Sequence, residues 1–259
     1  MGFVGLSKLS RSVLQVWICI TLLFAGAYAQ QSAVQVPSLA QCEEWFKSDS
    51  IDYHLLAVDQ AMNHQGDQRQ EVLSLLHHAL RDKQSVVRIV AERNIQRLHD
   101  KSSIVPLIEA LGDDDASIDD NYGGIFAGSI PPYIRMFWRA EVISVLREYG
   151  TEAAAALPLV RRYIKGDFAY SGPRCEAISF VGVLRDRTSI SLLIPLVTGE
   201  TKTMNDYIEC AVEALGQIGD PKAVPALEKY ALNSDVPKIR EAAVIALANI
   251  RSTNSDLQK

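Results

Sequence analysis

The sequence has few cysteines, no concentration of basic charge and almost no long apolar runs, and each of these shortages narrows what it can be. The four cysteines include no CxxC pair, which excludes the usual zinc-ribbon and dithiol redox motifs. No stretch concentrates Lys and Arg into a stripe, so binding nucleic acid by neutralising phosphates is disfavoured. Only one apolar run stands out, from Val13 to Ala25, and it is shorter than the ~20 residues a membrane-spanning helix needs. No His-Glu dipeptide occurs anywhere.

That one run has the layout of an export leader. Lys8 and Arg11 precede it, and Ala27-Tyr28-Ala29 offers a small-x-small cleavage site before Gln30. Residues 1–29 are therefore expected to be a signal peptide, and the protein to be exported, periplasmic or secreted. Cys19 lies inside the apolar run rather than after the small residues, so lipoprotein processing is not expected. Taking Lys8 and Arg11 from the 26 basic residues leaves 24 against 31 acidic ones, a formal charge of −7. Three cysteines then remain, Cys42, Cys175 and Cys210. The odd number leaves at least one unpaired within the chain, where a buried thiol behaves as a small hydrophobe. Cys175 and Cys210 occupy adjacent columns of neighbouring repeats, so a bridge between them is conceivable, although helices stacked ~8–10 Å apart put such residues beyond easy disulfide reach without local adjustment.

The mature chain repeats itself. Val105-Pro106-Leu107-Ile108, Leu157-Pro158-Leu159-Val160, Ile194-Pro195-Leu196-Val197 and Val224-Pro225-Ala226-Leu227 each open an apolar pattern of helical period. Proline is tolerated in a first turn because the amide hydrogen it lacks has no intrahelical partner there. A second pattern recurs five times, led by Arg88, Arg139, Arg174, Ile208 and Arg240. Three positions on stand Ala91, Val142, Ala177, Ala211 and Ala243; seven on stand Ile95, Leu146, Val181, Leu215 and Leu247; ten on stand Leu98, Tyr149, Leu184, Ile218 and Ile250. Offsets of three, seven and ten share one helix face, and the small residue lets a neighbouring helix come close. Each repeat thus reads as two antiparallel helices. Asp220-Pro221 marks a helix start, with a capping carboxylate before a proline of helical φ.

The string Cys210-Ala-Val-Glu-Ala-Leu-Gly-Gln-Ile-Gly-Asp-Pro-Lys-Ala-Val-Pro-Ala-Leu resembles a HEAT repeat of the phycobilisome-lyase-like kind. The resemblance runs from about Gln70 to Ser252 and implies an all-α, right-handed α-solenoid of five helical hairpins. The expected division is a signal peptide at 1–29, an N-terminal helical cap at 30–69, the solenoid at 70–252 with a long loop at 112–132, and a loose polar tail at 253–259. In the cap, Leu39, Cys42, Trp45 and Phe46 share one face, and Tyr53, Leu56, Ala57, Gln60 and Ala61 continue it. The resemblance further implies that the leading Arg pairs with an Asp of an adjacent turn, making Arg88, Arg139, Arg174 and Arg240 with Asp100, Asp186 and Asp220 a structural ladder rather than a clamp for an anion.

The resemblance includes enzymes. One kind holds two irons with His-Glu pairs on HEAT helices, which this sequence lacks; another attaches bilins to light-harvesting proteins inside cells, where an exported chain would not meet them. A lyase-like enzyme or enzyme subunit stays as the alternative. The five histidines fall between His54 and His99. Adjacent His77 and His78 point about 100° apart on a helix and have no carboxylate at i+4, which argues against a shared metal. No nucleophile sits in a recognised catalytic motif. No catalytic residue, metal or cofactor is expected.

The connections within the hairpins depart most from the repeat. Gly112–Pro132 is a long insertion carrying an Asp113–Asp120 cluster. Asp113, Asp115, Ser117 and Asp119 echo a calcium loop, but Ile118 stands where glycine is required and Gly124 where the bidentate Glu belongs. With the connections around Lys165–Pro173 and Gly199–Tyr207, this edge would present Tyr122, Phe126, Tyr133, Phe168, Tyr170 and Tyr207, either as a surface for a protein or peptide or as anchors folded back under their own loops. The last helix, from Ala242 to Ile250, has little polar face, so a second copy of the chain is a further candidate partner. The functional expectation is an exported binding module or scaffold.

Overall fold

The computed structural model describes residues 36–112, 132–166, 173–201 and 204–256. The chain divides into two compact units, Met1–Ser38 and Leu39–Lys259, and every described helix lies in the second. They are α1 Leu39–Trp45, α2 Ile51–Ala61, α3 Arg69–Ala79, α4 Ser85–Leu98, α5 Ile104–Gly112 and α6 Pro132–Glu148. There follow α7 Leu157–Lys165, α8 Arg174–Val183, α9 Ile190–Thr198, α10 Asn205–Ile218, α11 Val224–Asn233 and α12 Pro237–Asp256. The described residues contain no strand. The unit is an α-solenoid. From α3 onward each odd-numbered helix packs on the even-numbered one that follows it, and α4, α6, α8, α10 and α12 stack on one another in chain order.

The apolar columns are the core. Ala91, Val142, Ala177, Ala211 and Ala243 are fully buried, as are Ile95, Leu146, Val181 and Leu215. Burial of this continuous stripe stabilises each hairpin only through its neighbour, because one hairpin alone leaves its apolar face wet. The stack is tightest between α8, α10 and α12. There the column eight places after the leading one holds Gly182 and Gly216, and these glycines nest on Ala214 and Ala246 of the next helix.

In α4, α6, α8 and α10, one position after the last apolar column, the backbone turns left-handed and the helix ends. His99, Gly150, Arg185 and Gly219 sit there with φ of 46°, 58°, 51° and 75°. The Gly219 and His99 amides each donate back to the carbonyl four residues earlier, Leu215 and Ile95, which closes orphan carbonyls at the C-terminus. After His99, Arg185 and Gly219 the next residue is Asp100, Asp186 and Asp220, whose carboxylate caps the 3-10 turn that starts the following hairpin, while Gly150 is followed by Thr151. The chain therefore reverses at the same place in four repeats.

Three expectations need correction. The proline motif does not keep register: Pro158 and Pro225 lie in a first turn, but Pro195 is inside α9, which begins five residues earlier at Ile190. The capping Asp, not the proline, sets the helix start. In the cap the buried face of α2 is His54, Ala57, Val58 and Ala61, while Tyr53 and Leu56 are exposed; the small alanines win the interface because they allow close approach. At the other end the tail is helical to Asp256, and Asn254 Nδ2 donates to the Gly219 carbonyl at 3.1 Å, which fastens it to α10.

Candidate binding surface

The polar side chains of the repeat are the first place to look for chemistry, and the fold uses most of them. Arg88 Nη1 donates to the Asp82 carbonyl at 2.6 Å, Arg174 Nε to the Ile164 carbonyl at 2.9 Å and Arg240 Nη1 to the Ser234 carbonyl at 2.6 Å. In each case the second helix of a hairpin reaches back to carbonyls at the end of the first, where no intrahelical donor remains. The expected pairing of these arginines with Asp100, Asp186 and Asp220 is thus not found. The carboxylates face the other way along the chain, toward arginines of first helices and their entry turns: Asp100 to Arg69 at 3.4 Å, Asp186 to Arg161 at 2.8 Å and Asp220 to Arg187 at 3.8 Å. Two ladders exist where one was expected.

Asp186 is the most connected rung. It accepts from Ser189 Oγ at 2.5 Å, Thr188 Oγ1 at 2.7 Å, the Thr188 amide at 3.2 Å and Arg161 Nε at 2.9 Å. Burial pushes its carboxyl up, yet the hydroxyl and guanidinium donors outweigh that, and the net shift is downward. A depressed carboxylate stabilises the fold above the ordinary carboxylate range and loses that contribution as pH falls. Asp186→Ala should cost about 2–3 kcal/mol in urea unfolding at pH 7, because it strands buried donors, and the gap to wild type should narrow toward pH 3.

Two aromatic side chains sit immediately before the leading column and under the arginines of the preceding hairpin. The Arg88 guanidinium lies 5.1 Å from the Trp138 ring centre, and that of Arg174 lies 5.5 Å from the Tyr207 ring centre. Tyr207 is 9% exposed, so it is an anchor beneath its own connection rather than a contact for a partner. Tyr122, Phe126, Phe168 and Tyr170, with the side chain of Tyr133 and the Asp113–Asp120 cluster, lie outside the described residues. Sequence reasoning missed Trp138; its position one before Arg139, matching Tyr207 before Ile208, was the available signal.

The histidines are in structural contacts. His54 Nε2 donates to the Ser48 carbonyl at 2.7 Å and Nδ1 lies 2.6 Å from Asp82 Oδ2, which ties the cap to the first hairpin. His54 and His78 pack tilted against Phe46, and His99 stacks on Tyr149. His77 Nε2 lies 2.8 Å from Ser103 Oγ, but Ser103 is fully buried and cannot reach a substrate. Burial lowers the His77 pKa, with Asp100 opposing and Arg81 assisting. Among the described residues no cluster of His, Cys, Asp or Glu is placed to hold a metal.

Two open grooves are present. One, of about 480 Å³, is lined by Gln70, Ser74, His77, His78, Arg81 and Ser102. The other, of about 400 Å³, runs across the ends of α8, α10 and α12, past Arg185, Gln217, Asn249 and Thr253. Exposed apolar side chains lie along the chain, among them Val105 (60% exposed) on α5, Val183 (48%) on α8, Met204 (55%) just before α10, and Val244 and Ile245 (59% and 54%) on α12.

Cys175 and Cys210 are joined in a disulfide between α8 and α10, with Cα atoms 5.9 Å apart. The local adjustment that such a bridge needs comes from Gly182 and Ala214, which lack the side chains that would keep α8 and α10 apart. Cys42 is free and buried.

These nested and bridged helices are also the part of the chain that is recognised. Residues 173–248 match the family model of HEAT repeats. The HEAT match thus spans α8 to most of α12, where the columns hold alanine and glycine in the packing face. No curated protein matches the chain. Among solved structures, human deoxyhypusine hydroxylase in complex with glycerol is similar at 19% identity, covering 83% of this chain and 84% of that one, with a TM-score of 0.35.

Proposed function

We propose that this chain is an exported HEAT-repeat scaffold that holds a protein or peptide and performs no catalysis of its own. The observation that carries the reading is the use of the repeat's charged side chains: the arginines close helix carbonyls and the aspartates cap turns, which leaves apolar side chains as the groups available to a partner. Met204, Val244 and Ile245 are such groups, and exposed apolar positions of this size on a charged surface favour association. Export is supported by the leader-like residues 1–29 and by the Cys175–Cys210 bridge, since disulfides persist in oxidising compartments. Among the described residues no helix is long and apolar enough to cross a membrane. The narrower, phycobilisome-lyase-like character of the repeats rests on the Cys210–Leu227 string alone.

Val244 gives a reason to consider a second copy as partner. Its equivalents Ile143, Ile178 and Val212 are fully buried, whereas Val244 is 59% exposed. One capture experiment covers both surfaces. Mature chain immobilised against the native exported fraction should retain a defined protein; replacing residues 113–129 by a short Gly-Ser turn, or Ile245 by Asp, should abolish retention at whichever surface is used, with helical circular dichroism intact. Retention unchanged in both variants would remove both surfaces from consideration, and retention of nothing by wild type would count against the scaffold.

A further inference from the structure

The seam between α4 and α6 is unlike the others. Four places after the leading column, α6, α8 and α10 carry Ile143, Ile178 and Val212, all fully buried. At the same place α4 carries Glu92, which is 1% exposed. The rest of that face of α4 is polar too: Arg88 lies over Trp138, and Gln96 Nε2 donates to Glu148 Oε1 at 2.7 Å. A carboxyl group thus fills a position built for an aliphatic one, with no hydrogen-bond partner among the described residues.

The charges that act on Glu92 are unfavourable in sum. Burial raises its pKa most, Glu141 and Glu148 of α6 raise it further, Arg93 opposes them, and the result is a carboxyl pushed up to about 7. The other charged or titratable side chains described on α4 and the elements packed against it are Arg88 and Arg97 on α4, Asp52, Tyr53, His54 and Asp59 on α2, Arg69, Glu71, His77 and His78 on α3, and Arg139 and Arg147 on α6; His54 is held by Asp82, His77 lies against Ser103 and Arg147 Nη1 donates to Glu176. Between the ordinary carboxylate range and about 7 the folded chain keeps a proton that the unfolded chain has lost. Packing at this seam is therefore strongest at the lower pH and weakens as pH rises through that window.

We propose that the α4–α6 seam is a proton-operated joint, closed when Glu92 is neutral and loosened when it ionises opposite Glu141 and Glu148. The tight, bridged stack from α8 to α12 has no such group and stays rigid. The joint divides the cap and first hairpin, which end with α4 at Leu98, from the hairpins that begin with α5 at Ile104. A change in pH then alters the angle or mobility of one end of the scaffold without unfolding the other. This inference stands apart from the identity of any partner.

Amide hydrogen exchange on the full mature chain tests it. After correction for intrinsic rates, amides of α4 and α6 should exchange on the order of tenfold faster at pH 8 than at pH 5.5, with those of α10 unchanged. Glu92→Gln should abolish the difference while leaving His54 and His77 in place. Should Glu92→Gln fail to fold, Glu92→Leu, which restores the aliphatic of the column, decides on the same readout and should exchange slowly at both pH values. A pH difference that persists in either variant, or its absence in wild type, overturns the proposal.

Discussion

Gly216→Ala is expected to destabilise the protein by about 2 kcal/mol, although alanine is the better helix former by about 1 kcal/mol. A Cβ at position 216 would lie 2.6 Å from both Cα and Cβ of Ala246. That contact is with the backbone of α12, so no rotamer change relieves it; α12 must move, and the alanine and leucine columns behind it, Ala243 and Leu247, move with it. Overpacking of this kind commonly costs ~1–3 kcal/mol, and here it is set against the gain in helix propensity. Gly66 provides the internal control. It has open space where a Cβ would go and no positive φ, so Gly66→Ala should change stability by no more than about 0.5 kcal/mol in either direction. Urea unfolding of the two variants side by side checks both statements. Equal midpoints for Gly216→Ala and wild type would mean that α10 and α12 are not nested as described.

Opening the Cys175–Cys210 bridge should cost more. The bridge closes a loop of sequence separation 35, one hairpin in length, and the chain-entropy argument puts its contribution at about 3–4 kcal/mol. Cys175→Ala with Cys210→Ala should lower the urea midpoint by the corresponding amount, and mild reduction of wild type should reproduce the double variant. Cys42→Ala, by contrast, breaks no bond and removes only a small buried side chain. The bridge and the glycine nesting act on the same pair of helices, so their effects should not add: Gly182→Ala in the reduced protein should cost less than in the oxidised one, since residues in direct contact couple.

The fold was legible because its signal is periodic. Five copies of the three-seven-ten pattern gave the second helices, and the columns at offsets three and seven are buried in every copy. Asp100, Asp186 and Asp220 were recognised as the turn marks and they are the caps. What could not be read is where a side chain goes when two partners of one type are available. Arg174 had both a carboxylate and a helix terminus within reach, and the carbonyl of Ile164 took it, because unpaired carbonyls at a buried helix end cost more than an exposed charge. The disulfide stayed undecided for a related reason: average helix spacing disfavours it, and the facing residues Gly182 and Ala214 bring this pair of helices closer than average. Glu92 escaped notice because its own column, four places on, was not among those aligned; once Ile143, Ile178 and Val212 are set beside it, the exception is visible in the sequence.

The candidate site was less legible than the fold. Of the six aromatic residues expected along the connection edge, Tyr207 is the one with a described side chain, and it is buried under Arg174. A tyrosine at the start of a helix looks alike in sequence whether it faces solvent or an arginine of the preceding hairpin. The exposed positions Val244 and Ile245 lie in the Ala242–Ile250 segment, whose small polar face is visible in the sequence.

Intact mass of the protein recovered from its native source, alkylated under denaturing conditions before any reduction, is the most direct test of an exported, bridged scaffold. The account predicts a chain beginning at Gln30 with one alkylated thiol, Cys42, and with Cys175 and Cys210 two hydrogens lighter as a disulfide. A chain that still begins at Met1 with every cysteine alkylated would contradict it.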